Sequence, residues 1–334
     1  MKKLHMDLKE NSYDIRIERG ILHKAGTYVD LNRKVMIITD DMVPKAYADT
    51  ILTQCKEGYL SVVKHGEEAK SMHTYEKLLC ELLEHRFTRK DCVIALGGGV
   101  IGDLSGFVAA SYMRGIDFIN IPTTTLSQID SSIGGKVAIN LQEVKNIVGA
   151  FYQPKAVLID PDTLSTLPKR HYINGLAEAL KAALIYDASL FEVFEQKDIY
   201  DDIELILEKS LLVKKDVVEK DEKEHDLRKI LNFGHTIGHA IESYYHLEDY
   251  LHGECVAMGM LYFIKDEDIK NRVLSVYEKL QLPTSVPYDT EKVYSYLCRD
   301  KKAEGDSITV VEITQIGKAE LRKLPMKHIK ELLL

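Results

Sequence analysis

Paired thiols, membrane-length apolar runs and basic tracts are all missing from this chain. Its five cysteines, Cys55, Cys80, Cys92, Cys255 and Cys298, are odd in number, scattered over 334 residues and never arranged as C-x-x-C. That argues against a disulfide framework or a thiolate zinc centre, and for a reducing compartment. No apolar run approaches the roughly 20 residues needed to span a bilayer. The opening MKKLHMDLKE carries charge but no following apolar stretch, so it does not read as a secretory signal. A net charge of −8 without any Lys/Arg block gives no footing for a nucleic-acid partner. The expectation is a cytoplasmic protein that binds neither membrane nor nucleic acid. With 45% apolar and 29% charged residues, the chain is otherwise ordinary, and long enough for a large core divided into two domains.

Two rhythms succeed one another. KVMIIT (34–39), LSVV (60–63), CVIALGGG (92–99) and FINIPT (118–123) are short β-rich runs ending in small or polar residues. Between two of them, SMHTYEKLLCELLEHR (71–86) spaces its leucines helically behind Ser71, a good N-cap. Such alternation predicts a largely parallel sheet covered by helices. After AVLIDPDTLSTLP the pattern turns to helical periods at 175–186, 202–220, 234–245 and 253–270, followed by a β-like pair, ITVVEI and KAELRKL. The expected fold class is α/β: a Rossmann-like dinucleotide-binding domain over 1–167, then a mostly α-helical domain over 168–334.

The stretch VIALGGGVIGDLSGFVAA (93–110) reads as a buried strand, a glycine-rich turn and a helix. Gly97, Gly99 and Gly102 satisfy G-x-G-x-x-G, although the motif does not follow the first strand and its acid, Asp103, comes at once. Glycines let backbone N–H groups approach a pyrophosphate, and a helix N-terminus favours the anion. A plain tight turn would need the same small residues. Other strand ends carry polar groups where open α/β sheets bind ligands: Asp40 or Asp41, then Glu67 and Lys70, then Thr123 and Thr124, with Asp130 and Lys136 beyond.

In the helical half, Glu178 and Lys181 stand three apart among alanines and leucines, either as an exposed ion pair or as a buried functional one. LNFGHTIGHAIE (231–242) places His235 and His239 one helical turn apart. They read as two metal ligands, as one ligand and one acid–base group, or as a packed pair. Glu178, His235 and His252 would make a carboxylate and two imidazoles with an open position, the donor set of a catalytic zinc. HTIGH lacks the glutamate of H-E-x-x-H, so a metalloprotease is not indicated. Lys214 sits within the stripe Leu207, Leu211 and Val218, either snorkelling or facing an anion together with Lys136, Lys181 and Arg228.

Several segments in this order resemble the 3-dehydroquinate synthase family of sugar-phosphate cyclases: GGGVIGDLSGFVAASYMRGI, IPTTTLSQIDSSIGGKVAIN, VKNIVGAFYQP, GLAEALK, LRKILNFGHTIGHAIE and LHGECVAMGM. The resemblance covers nearly the whole chain. It implies an NAD-binding first domain, a metal- and substrate-binding helical second domain, and a homodimer. It also implies conversion of 3-deoxy-D-arabino-heptulosonate 7-phosphate into 3-dehydroquinate and phosphate, in the shikimate pathway. In that reaction NAD transiently oxidises one hydroxyl, phosphate leaves, the ketone is reduced again, and an aldol step closes the ring.

Carried over by position, the resemblance puts the metal on Glu178, His235 and His252, with zinc the expected ion and cobalt an alternative. It puts NAD on Asp40, Glu67, Lys70, Gly99, Val100, Ile101, Gly102, Asp103, Thr123, Thr124, Lys136, Lys145 and the turn Thr163, Leu164, Ser165, Thr166. It assigns the sugar phosphate to Asp130, Lys136, Asn146, Lys181, Lys214, Arg228, Asn232 and His239, and either Lys301 or Lys302. His239 would hold the phosphate and transfer a proton, and Arg114 would reach the phosphate of a neighbouring subunit. The chain departs from the pattern at His65, where aspartate is usual, at an alanine after Lys181, and at Asp226, where glycine is usual. A sibling cyclase acting on a substrate without a carboxylate is the nearest rival, with Lys214, Arg228 and Asn232 as the discriminating residues. A polyol dehydrogenase, which would release NADH, and a non-catalytic NAD sensor are the others.

Overall fold

The computed structural model describes residues 1–142, 144–245, 249–298, 303–304 and 306–334, and the chain folds as two compact units, Met1–Pro168 and Lys169–Leu334. The first unit carries strands β1 (Lys2–Met6), β2 (Tyr13–Ile17), β3 (Lys34–Asp40), β4 (Glu57–Val63), β5 (Cys92–Gly97), β6 (Asp117–Pro122), β7 (Lys136–Leu141), β8 (Val144–Phe151) and β9 (Ala156–Ile159). Its helices are α1 (Lys45–Leu52), α2 (Met72–Glu84) and α3 (Gly99–Ser111). One sheet runs in the order β1-β2-β9-β6-β5-β3-β4, parallel except for the β1–β2 pair, and β7 and β8 form a separate antiparallel hairpin.

The apolar pattern explains these positions. Every residue of β5 and β9 is buried, as a strand covered on both faces requires. In β2 only Tyr13, Ile15 and Ile17 are buried, so the strand alternates between core and surface. The Ser71 hydroxyl accepts from the Thr74 amide at 3.2 Å and caps α2, which turns Leu78 and Leu82 into the core. Helix α3 lies close against β7 because position 106 is glycine; a Cβ there would overlap the Val137 side chain.

Strand order also fixes where a ligand can sit. The chain steps outward from β3 to β4, returns past β3 to β5, then continues the other way through β6 to β9. The direction reverses between β3 and β5, and the crevice at the carboxyl ends of such strands is where open α/β sheets bind ligands. Asp40 ends β3, and Gly97 ends β5 and leads into α3.

The second unit comprises α4 (Lys169–Ile185), α5 (Ala188–Gln196), α6 (Ile203–Lys220), α7 (His235–Tyr244), α8 (His252–Leu261), α9 (Glu267–Leu280), α10 (Thr290–Cys298) and α11 (Met326–Leu332). Strands β10 (Ala303–Glu304), β11 (Ser307–Gln315) and β12 (Lys318–Pro325) form an antiparallel sheet. Helix α4 is buried continuously from Tyr172 to Ile185 and forms the centre of the unit. The helical period expected over 253–270 is two helices, because the Asp266 carboxylate accepts from the Asp268 and Ile269 amides and caps a new start at α9. Among the described residues no helix is long and apolar enough to cross a membrane.

Candidate functional site

At the carboxyl edge of the large sheet, the residues singled out in the first unit gather at successive strand ends. Asp40 closes β3, Glu67 and Lys70 follow β4, Gly99–Asp103 open α3 after β5, Thr123 and Thr124 follow β6, and Thr163–Thr166 follow β9. Four of them meet around one buried ammonium. Lys70, 3% exposed, donates to Asp103 Oδ2 at 2.7 Å and to the side-chain oxygen of Asn146, and lies 3.6 Å from Glu67 Oε1. Asn140 completes the cluster: its side chain donates to Glu67 at 2.8 Å and accepts from the Asn146 amide at 2.8 Å. The hairpin residue Asn146 is thereby joined to the loop after β4 and to the start of α3.

The glycine turn opens directly into helix α3, with Gly98 as an N-cap that offers no side chain. A Cβ on Gly99 would come within 2.9 Å of the Ser131 hydroxyl, so the loop approaches its neighbour as closely as only glycine permits. Ser131 ends a π-turn, Ser127–Ser131, that carries Asp130; such turns recur at functional positions. Gln128, fully buried in the same turn, donates to the Thr163 hydroxyl at 3.0 Å and ties the β6 end to the β9 end.

Other residues stand apart from this cluster. The Asp40 carboxylate accepts from the Met42 and Val43 amides at 2.9 and 3.2 Å, and burial raises its pKa. Asp41 holds His65 through the backbone amide and Nδ1, both at 2.8 Å, which gives the unusual histidine a partner that an aspartate there would repel. Lys136 and Lys145 are exposed on the hairpin. Arg114 is also exposed, in the middle of three consecutive positive φ values: Met113 at 50°, Arg114 at 69° and Gly115 at 117°. Non-glycine residues seldom adopt that region, and such strain concentrates at functional positions.

In the second unit, α4, α7 and α8 converge on glycines. A Cβ on Gly259 of α8 would overlap the Gly234 carbonyl and lie 2.7 Å from the Gly238 amide, and one on Gly253 would overlap the Asn174 carbonyl of α4. This close crossing carries Glu178, His235, His239 and His252 to one point. We expect Gly259→Ala to destabilise the protein by about 3 kcal/mol, the upper part of the usual overpacking range, read as a lower denaturant midpoint.

Glu178 and Lys181 form a buried ion pair, 2% and 3% exposed, so the exposed-pair alternative does not apply. Oε1 of Glu178 lies 3.6 Å from Nε2 of His235 and 3.6 Å from Nε2 of His252, and accepts no hydrogen bond among the described residues. Both histidines present Nε2 because Nδ1 is engaged elsewhere: His235 with the Phe233 carbonyl, and His252 with Glu242 Oε2, each at 3.0 Å. Burial alone would raise the Glu178 pKa, yet the Lys181 ammonium and His252 bring it well below the ordinary value. Burial opposes charge on His252, but Glu178 and Glu242 outweigh it and hold the pKa up at about 10. The His239 ring centroid lies 5.0 Å from that of His235 and 5.5 Å from that of His252. One ligand atom from each of the three histidines falls within 4.8 Å of the others, so the imidazoles form a second possible donor set.

Lys214 is buried on α6 at 7% exposure, and Arg228 at 3% on the short helical turn Leu227–Asn232, which packs against α4 and α6. Asn232 donates to Glu224 at 2.9 Å. Asp226 has φ −139°, a backbone that needs no glycine, and its amide donates to Asp221 at 2.8 Å. Lys301 and Lys302 lie outside the described residues. Sequence reasoning passed over Glu242, although it stands seven residues after His235 and three after His239, on the same helical face. It also passed over Arg170, whose guanidinium donates twice to Glu254, at 2.7 Å each, and ties α4 to the first turn of α8.

Comparison with known proteins places this arrangement. Residues 60–174 match the 3-dehydroquinate synthase N-terminal family model, and residues 175–303 the C-terminal one. A 3-dehydroquinate synthase of Clostridium acetobutylicum is 42% identical, with 98% of each chain covered. Among solved structures, 2-deoxy-scyllo-inosose synthase complexed with carbaglucose-6-phosphate, NAD+ and Co2+ is 25% identical, with TM-score 0.91 and 99% of each chain covered. A 2-epi-5-epi-valiolone synthase from Streptomyces hygroscopicus subsp. jinggangensis, with NAD+ and Zn2+ bound, is 29% identical, with TM-score 0.89 over 98% of this chain and 97% of that one. With both family models matched in sequence order and 42% identity sustained over almost its full length, the chain belongs to the 3-dehydroquinate synthase family.

Proposed function

We propose that the protein converts 3-deoxy-D-arabino-heptulosonate 7-phosphate into 3-dehydroquinate and phosphate, as a cytoplasmic homodimer using NAD and zinc. The observation that carries this reading is the spacing around Glu178. At 3.6 Å its oxygen is too far from either imidazole for a hydrogen bond, whereas donors arranged tetrahedrally at zinc-ligand distances lie about 3.4 Å from one another. A buried carboxylate and two Nε2 atoms so placed fit a shared divalent cation, with Glu178, His235 and His252 as its ligands. Cobalt would suit the same mixed N/O set.

The first unit is assigned to NAD. The backbone of Gly99, Val100, Ile101, Gly102 and Asp103 would receive the pyrophosphate, and Asp40, Glu67, Lys70, Thr123, Thr124, Lys136, Lys145 and Thr163–Thr166 the remainder. When bound, NAD would take and return one hydride while the metal polarises the hydroxyl being oxidised.

The chain's own residues account for the rest of the reaction. Lys181, Lys214 and Arg228 are buried cations, a grouping of positive charge that suits an anionic substrate. Arg228 suits a carboxylate through paired N–H donors, assisted by Asn232. Asp130, Lys136 and Asn146 would position the sugar, and Arg114 would reach the partner's substrate. His239 would hold the leaving phosphate and carry a proton on its imidazole during elimination.

The test is substrate choice with the product identified by NMR. The reading predicts 3-dehydroquinate from the heptulosonate phosphate and no carbocycle from glucose 6-phosphate. Turnover of glucose 6-phosphate with the heptulosonate phosphate inert would move the protein to a sibling cyclase.

A further inference from the structure

Glu242 has no role in the assignments above, yet it makes a directional contact with a proposed ligand. Its carboxylate lies on the face of α7 that carries His235 and His239, and its side chain is only 12% exposed. Oε2 accepts from Nδ1 of His252, the first residue of α8, at 3.0 Å. The two imidazole nitrogens face opposite sides of the ring, so engaging Nδ1 sends Nε2 toward Glu178. His235 is oriented differently, by the Phe233 carbonyl two residues earlier on its own chain segment. His252 is oriented instead by a carboxylate from another helix.

We propose that Glu242 is a positioning residue that fixes the ring and tautomer of His252 so that Nε2 faces the cation. The proposal rests on the reading that Glu178, His235 and His252 bind a divalent metal. Carboxylate partners of ligating histidines set tautomer, orientation and basicity, and their loss typically weakens metal binding about 10–100-fold. A glutamate that merely staples α7 to α8 would instead act on the stability of the metal-free protein and leave zinc affinity nearly unchanged.

The experiment measures zinc dissociation constants of the full chain and of Glu242→Gln by competition with a chromogenic chelator, alongside melting of the metal-free proteins. The expected result is a constant raised at least about 10-fold in the variant, with the metal-free melting temperature unchanged. A constant within twofold of the parent overturns the proposal and leaves the metal reading standing. Absence of zinc uptake by the unmutated chain overturns both. Should the variant's metal-free form also be destabilised, nitrogen NMR of the unmutated zinc-loaded protein decides the matter. His252 bound through Nε2 with a protonated Nδ1 supports the assignment, and ligation through Nδ1 overturns it.

Discussion

His235→Ala is expected to leave the protein without tightly bound metal, whereas His239→Ala keeps it. The two residues sit one turn apart on α7 and differ in what their surroundings do to them. His235 gives Nδ1 to the Phe233 carbonyl and points Nε2 at Glu178, 3.6 Å away. Removing it leaves a carboxylate and one imidazole, two donors where a catalytic zinc takes three from protein. His239 is assigned to proton transfer, so its loss should slow turnover about 10²–10⁴-fold with metal content intact. Metal analysis after exhaustive dialysis, set beside kcat for both variants, checks the pair. Equal metal loss would instead make the three imidazoles His235, His239 and His252 the ligand set, an arrangement their spacing permits.

Lys70→Met should cost both stability and cofactor. The ammonium is buried against Asp103 and the Asn146 side chain, with Glu67 close by. Taking one partner from a fully buried charge pair costs about 3–5 kcal/mol. Asp103 and Glu67 retain 23% and 28% exposure, so water recovers part of that loss and about 2–3 kcal/mol is expected. For a unit of this size that lowers the melting temperature by roughly 5–10 °C. NAD affinity should fall as well, because the same cluster holds the loop after β4 against the start of α3. Calorimetry together with NAD titration checks both parts; unchanged melting would mean the cluster carries little of the unit's stability.

The α/β character and much of the first unit's strand pattern were legible because burial wrote them into composition. β3 and β5 are apolar runs rich in Val and Ile, β6 carries Phe and two Ile, and α2 announces itself by Ser71 and its leucine spacing. β2 carries an equally legible alternation, Tyr13, Ile15 and Ile17 against Asp14 and Arg16, which the reading by strand–helix alternation passed over. The β7–β8 hairpin was not legible: polar and glycine residues interrupt its apolar positions, and β8 is mostly exposed. A lysine in HGEEAK reads as a loop charge, and nothing local says that Lys70 is buried; its partners come from positions 103 and 146. Glu178 and Lys181 were ambiguous for the same reason, since only the packing of α4 at the centre of its unit excludes the exposed pair. Glycines 234, 238, 253 and 259 give no sign in isolation that three helices cross on them.

The most direct test of the account counts phosphates. With 3-deoxy-D-arabino-heptulosonate 7-phosphate in excess, added zinc and NAD+ far below the substrate concentration, released phosphate is followed together with net NADH. Transient oxidation and re-reduction predict many phosphates per NAD+ and no accumulating NADH. NADH formed in step with substrate consumption, without phosphate release, would contradict the account and make the protein a dehydrogenase.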